Sequence, residues 1–206
     1  MNTFHCWTTM KTKIQAVYPQ SVFQTTSAKS VYIVDLGRIT ENERNVEVYE
    51  NLPIASDGKE LNCFKLNNSI GIIVDLNVFD DHQFKDENND DIKHCECCFY
   101  PSINCEDSFI AFLEIKDCRA RIIKRYKKEA EEQIKSTVQL FKNAGIINSQ
   151  KIYGIISFPR RNKTAFNEYI YRDNHELTRW VKDYGIHLIA SNEIYIKDNR
   201  TISDHF

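Results

Sequence analysis

A chain of 206 residues can bury a sizeable core, as one domain or as one domain with a small addition. Hydrophobic residues make up 42% and charged residues 27%, with only 6 Gly and 4 Pro, which excludes a disordered or collagen-like class. The formal net charge is -2, so any nucleic-acid partner has to be met by a local basic patch.

The first 65 residues read mostly as β, with "VYIVDL" at 31–36 and the alternating "NVEVY" at 45–49 as strands. A turn is expected at Asp57-Gly58. The β-branched run "IGIIVDLNVF", 70–79, reads as a buried strand. "DDHQFKDENNDDIK" follows as a solvated acidic loop. In it Asp86, Asn88 and Asp90 match the first ligand positions of an EF-hand loop. Asp91 stands where Gly is needed and Cys97 where a bidentate Glu is needed, so this is not a calcium loop.

Residues 94–100 and 109–116 read as two strands. From 118 to 145 runs the strongest helix, with Ile123, Tyr126, Ala130, Ile134, Thr137 and Phe141 on one face and Gly145 as its stop. "KIYGIISFP" is a buried strand ended by Pro159. Asn174 and Glu176 open a second helix that Gly185 closes, and "IHLIA" and "EIYIK" finish the chain as strands. The expected architecture is α/β: a mixed β-sheet flanked by helices over 66–206, with a β-rich segment at 1–65 that can belong to the same domain. No apolar run approaches the roughly 20 residues of a membrane span, and no signal peptide is expected. Seven cysteines, an odd number in a chain without an export signal, read as reduced thiols in the cytoplasm.

The stretch "ECCFYPSINCEDSFIAFLEIKD", 96–117, carries the densest chemistry. A turn near Cys105 pairs the two strands so that Cys98 faces Phe112 and Glu96 faces Glu114. Alternation then puts Glu96, Glu114 and Lys116 on one side, while Phe109, Ala111, Leu113 and Ile115 enter the core. Two carboxylates that close repel each other unless a cation sits between them. Asp107 has the wrong parity and lies too far along the strand to share an ion with Glu114. Lys116 closes the strand outside its apolar face, so its loss removes no core volume.

This pattern resembles the PD-(D/E)XK nuclease superfamily over about residues 70–158. Glu114-Ile115-Lys116 matches the (D/E)xK element, Glu96 stands where the family usually has Asp, and a helix and a strand follow. Gln133 resembles the polar residue that many members carry on that helix. The resemblance implies a restriction-endonuclease-like core and a Mg²⁺-dependent (or Mn²⁺-dependent) endonuclease, with Glu96, Glu114, Lys116 and Gln133 as catalytic residues. Glu96 and Glu114 would hold the metal. DNA is implied ahead of RNA as substrate, with a role such as bacterial anti-phage defence, and a homodimer or protein partner is compatible with it. Members often carry a further upstream acid; Glu41, Glu43, Glu47, Glu50 and Asp75 are the candidates.

"RARIIKRYKK", 119–128, puts Arg119, Arg121, Lys124, Arg125, Lys127 and Lys128 at a helix start, where cations oppose the dipole. Phosphate contact is one reason for them; a solvated face with i,i+4 pairs such as Lys128–Glu132 is the other. Arg160, Arg161 and Lys163 form a second basic cluster, and Tyr169, Tyr171 and Trp180 are either stacking faces or core. Two alternatives to an active nuclease remain. One is a catalytically inactive nuclease-fold module that binds nucleic acid or assembles with a partner. The other is a zinc-stabilised interaction domain built on His94, Cys95, Cys97, Cys98, Cys105 and Cys118, although Cys95 and Cys97 would share a face and Cys98 would point away.

Overall fold

The computed structural model describes residues 9–37, 46–80, 82–103, 107–116, 123–160 and 174–205. Strands β1 (Val22–Thr26), β5 (Val74–Val78), β6 (Cys97–Pro101), β7 (Phe109–Ile115), β8 (Lys151–Ser157) and β9 (Ile186–Ala190) form a six-stranded mixed sheet in the order β1-β5-β6-β7-β8-β9. The meander β5-β6-β7 is antiparallel; β8 and β9 run parallel to β7. Each parallel step needs a long crossover. Helices α2 (Ile123–Asn143) and α3 (Asn174–Tyr184) supply them. The fold is therefore α/β, with a mixed sheet flanked by helices.

Both faces of the central sheet are buried, by different partners. Even-numbered residues of β7, Ile110 and Phe112, join α1 (Met10–Val17), α2 and α3 in one core. Odd-numbered residues, from Phe109 to Ile115, pack on a second sheet. That sheet has the order β11-β10-β4-β2-β3. It combines β2 (Ser30–Asp35), β3 (Val46–Tyr49) and β4 (Phe64–Asn67) with the C-terminal β10 (Glu193–Ile196) and β11 (Ile202–Ser203). The first 65 residues thus form no separate layer: β1 lies in the central sheet, and β4 pairs in parallel with β10. Helix α1, unexpected in a segment read as β, is capped by Thr9, whose Oγ1 accepts the Thr12 N–H at 3.2 Å, and is anchored by fully buried Ile14.

The end of α2 follows the sequence expectation. Gly145 takes φ +68°, the Ile146 N–H reaches the Phe141 carbonyl at 3.0 Å, and the Gly145 N–H reaches that of Lys142 at 3.0 Å. This is a Schellman stop with buried Ile146 as its apolar contact. Among the described residues no helix is long and apolar enough to cross a membrane.

Gly154, mid-strand in β8, sets how closely α2 approaches the sheet. A Cβ there would lie 2.9 Å from Ile134 Cγ2 and 3.1 Å from Ile186 Cγ2. Gly154→Ala is therefore expected to cost about 1–3 kcal/mol through overpacking. Thermal melts check this; an unchanged Tm would mean that α2 gives way freely.

Candidate active site

Strand β7 ends at Ile115, and the next described element is α2, from Ile123. In open α/β sheets this end of the parallel strands is where ligands bind. Glu114 is the last even-numbered residue of β7 and pairs across the ladder with Ile156 of β8, on the helix side. It is 0% exposed. Lys116 follows the strand, and its N–H donates to the Ser157 carbonyl at 2.8 Å. Its Nζ lies 2.5 Å from Glu114 Oε1, with the lysine side chain only 17% exposed. A buried carboxylate is tolerated only with a counter-charge, because the water it loses has to be replaced. Lys116 provides that charge, so it is more than a surface cap on the strand, and removing it would cost more than core volume alone suggests.

The register of β6 on β7 matches the expected one: Cys98 pairs with Phe112 and Cys97 with Leu113. At Glu96 the ladder changes. The Glu96 N–H donates to the Leu113 carbonyl at 3.0 Å, so Glu96 and Cys97 both face Leu113. This is a β-bulge, a device that bends a strand and re-aims a side chain. Glu96 is therefore not across from Glu114, as strict alternation would have it; it stands opposite Leu113 together with Cys97. The bulge also explains a second departure: Cys95 packs on the helix side with Cys98, and Cys97 alone faces the second sheet. Glu96 is 2% exposed, and its carbonyl accepts the Phe79 N–H at 3.0 Å. Burial pushes the Cys97 thiol well up, and Cys95, Cys98, Glu96 and Glu114 push it further.

Gln133 is buried on α2, and its Nε2 donates to the His94 carbonyl at 2.9 Å. Its amide holds the chain that leads to Glu96. Thr137, one turn on, was legible only as part of an apolar stripe. Its hydroxyl accepts the Cys95 N–H at 2.9 Å and donates to the Gln133 carbonyl at 2.8 Å. A fully buried threonine in such a stripe must hydrogen-bond something, and that was the available signal.

The upstream acids do not converge here. Asp75 pairs across the ladder with Tyr100 and accepts from Thr25 Oγ1 at 2.5 Å. It lies four residues before Phe79, or about 13 Å at strand rise, from the point where β5 meets Glu96. Glu47 is on edge strand β3 and accepts from Tyr49, and Glu50 accepts from Thr26. Glu41 and Glu43 lie outside the described residues.

Of the basic residues, Lys124, Arg125 and Lys128 lie on the first turns of α2 with exposed side chains, and Arg160 follows β8 at the same end of the sheet. Arg125 pairs with Glu129 at 2.8 Å and Lys128 with Glu132 at 3.8 Å, as a solvated face would. Lys127 ties α2 to α3, at 3.4 Å from Glu131 and 2.7 Å from Glu176. Lys124 has no ion pair among the described residues. Trp180 is buried in the helix-side core and edge-on to Tyr184. Arg119, Arg121, Arg161, Lys163, Tyr169 and Tyr171 lie outside the described residues.

For a metal, the donors decide. Among the described residues no group of three or more His, Cys, Asp or Glu side chains is placed to hold an ion. Zinc needs its ligands gathered at one point, whereas Cys95 and Cys98 pack on the helix side and Cys97 on the second sheet; Cys105 and Cys118 lie outside the described residues. Two carboxylates suit Mg²⁺, which keeps several waters, better than Ca²⁺, which takes six to eight oxygens. No protein-family model, curated protein or solved structure matches this chain.

Proposed function

We propose that this protein is a Mg²⁺- or Mn²⁺-dependent nuclease that hydrolyses phosphodiester bonds. The observation that carries the reading is the buried Glu114–Lys116 pair at the end of β7. Glu96 and Glu114 would hold the ion, which supplies a water of lowered pKa and screens charge on the phosphodiester. Lys116 is the most exposed of the three and the first that a substrate meets. Its ammonium has three donors, enough to stay near Glu114 while holding a phosphoryl oxygen as charge develops. DNA is the polymer, the cytoplasm the compartment, and defence against phage a fitting role; these three rest on the family resemblance and on the reduced cysteines.

The test is incubation with plasmid, single-stranded DNA and RNA, with Mg²⁺ or Mn²⁺, comparing wild type with Glu114→Ala. Metal-dependent cleavage by the wild type alone supports the reading. No cleavage of any substrate, or equal cleavage by the variant, overturns it. A second reading, an inactive module of the same fold, is favoured by one observation: Glu114 is closed off by its own lysine.

Both readings use the basic start of α2, and Lys124 is its informative residue. Lys124→Gln is expected to lower the salt slope of duplex binding by about 0.9, the loss of one phosphate contact. Arg125→Gln should change it less, because Glu129 already neutralises that guanidinium. Binding isotherms at several salt concentrations check this; an unchanged slope for Lys124→Gln would leave the patch as a solvated face.

A further inference from the structure

We infer that Thr137 and Gln133 of α2 act as positioning residues that set where the Glu96 carboxylate stands. The inference rests on the metal-site reading proposed above. Glu96 has no regular strand before it: β6 begins at Cys97 and the bulge breaks the ladder. Its backbone is held from both sides. On the C-terminal side the holder is the ladder to β5 and β7. On the N-terminal side it is α2, through two consecutive backbone groups. Gln133 Nε2 takes the His94 carbonyl and Thr137 Oγ1 takes the Cys95 N–H. Thr137 Oγ1 also donates to the Gln133 carbonyl, so one hydroxyl serves as donor and acceptor and ties the two contacts together. Thr137 is 0% exposed, so no water replaces these bonds when they are lost.

The consequence is specific. Groups that orient a ligating carboxylate change metal affinity by about 10–100-fold when removed. The α2 pair would therefore act on metal binding, beyond any effect on stability. The same helix begins at Ile123 and carries Lys124, so α2 links the basic start and the Glu96 side of the site in one rigid element.

The experiment titrates Mn²⁺ into the full chain by calorimetry for the wild type, Thr137→Val, Thr137→Ser, Gln133→Met and Val138→Ala. Thr137→Val keeps the shape and removes the hydroxyl; Thr137→Ser keeps the hydroxyl. Val138 is buried on the same helix outside these contacts, so Val138→Ala is the stability control. Thr137→Val and Gln133→Met are expected to weaken Mn²⁺ binding by about tenfold or more, and Thr137→Ser by less than about twofold. Val138→Ala should lower the melting temperature and leave affinity unchanged. If Thr137→Val does not fold, Gln133→Met carries the test alone. Wild-type affinity in both Thr137→Val and Gln133→Met, or an equal loss in Val138→Ala, overturns the inference while the metal site stands. A wild type that binds no Mn²⁺ removes the site itself, and the inference with it.

Discussion

Lys116→Ala is expected to lose about 3–5 kcal/mol of stability in the absence of divalent metal, the cost of taking the Lys116 ammonium away from a buried carboxylate. For a chain of this length the melting temperature should fall by about 10 °C. The cause is geometric: Nζ sits 2.5 Å from Glu114 Oε1, and Glu114 is fully buried. Glu114→Gln should cost less, because the freed ammonium is partly exposed and can turn to water on its flexible stem. Replacing both, as Glu114→Gln with Lys116→Met, should recover part of the loss, since an apolar pair of similar volume carries no desolvation penalty. Mg²⁺ separates the two roles of the pair. If Glu96 and Glu114 hold an ion, saturating Mg²⁺ should raise the melting temperature of Lys116→Ala, by about 2.7 kcal/mol of linkage at a hundredfold excess over Kd. A purely structural ion pair gives the same loss and no recovery. Melting Lys116→Ala with and without Mg²⁺ decides, and a variant as stable as the wild type would contradict the buried pair itself.

Phe141→Ala carries the other large expected effect, about 3–5 kcal/mol. Phe141 is the hub where α2 meets the rest of the helix-side core. Its ring lies 5.2 Å from Phe112, 5.8 Å from Phe79, 6.0 Å from Tyr18 and 6.3 Å from Phe84. These partners come from β7, from the end of β5, from the residue that caps α1 and from the loop before β6. Truncation opens a cavity that no single neighbour can fill, because each is held in its own element. Urea unfolding reads the loss; a change below about 1 kcal/mol would mean that the aromatic cluster collapses onto the gap.

The parts of this fold that were legible are those that local physics determines. The pairing of Cys98 with Phe112 follows from alternation on both strands, since a one-residue slip would turn Glu114 and Phe112 toward the wrong layers. Helix α2 and its stop at Gly145 follow from a 3.6-residue stripe and a glycine at positive φ. What stayed hidden depends on distant partners. Nothing in "FKLN" announces that Lys65 and Leu66 pair with Glu193 and Ile194 far along the chain. Helix α1 is short, and one buried isoleucine and a threonine cap hold it, too little to outweigh a β-rich neighbourhood.

In the site, Glu114 and Lys116 were legible because they share parity at a strand end. Their burial was not, because charges at a strand end read as solvated. The bulge at Glu96 was hidden for a different reason. A one-residue offset has no compositional mark, and it appears only when the Glu96 N–H is found on the Leu113 carbonyl. The basic helix start was legible as a cluster, but the pairing of Arg125 and Lys128 within it depends on rotamers that bring Glu129 and Glu132 into reach.

The central claim, that Glu96 and Glu114 share one divalent ion beside Lys116, is tested most directly by crystals of the protein soaked in Mn²⁺ and measured for anomalous scattering. The account predicts one anomalous peak within about 2.0–2.6 Å of an oxygen of each carboxylate, with Lys116 Nζ moved off Glu114 Oε1. A map with no peak between them, and with Lys116 still seated on Glu114, would contradict it.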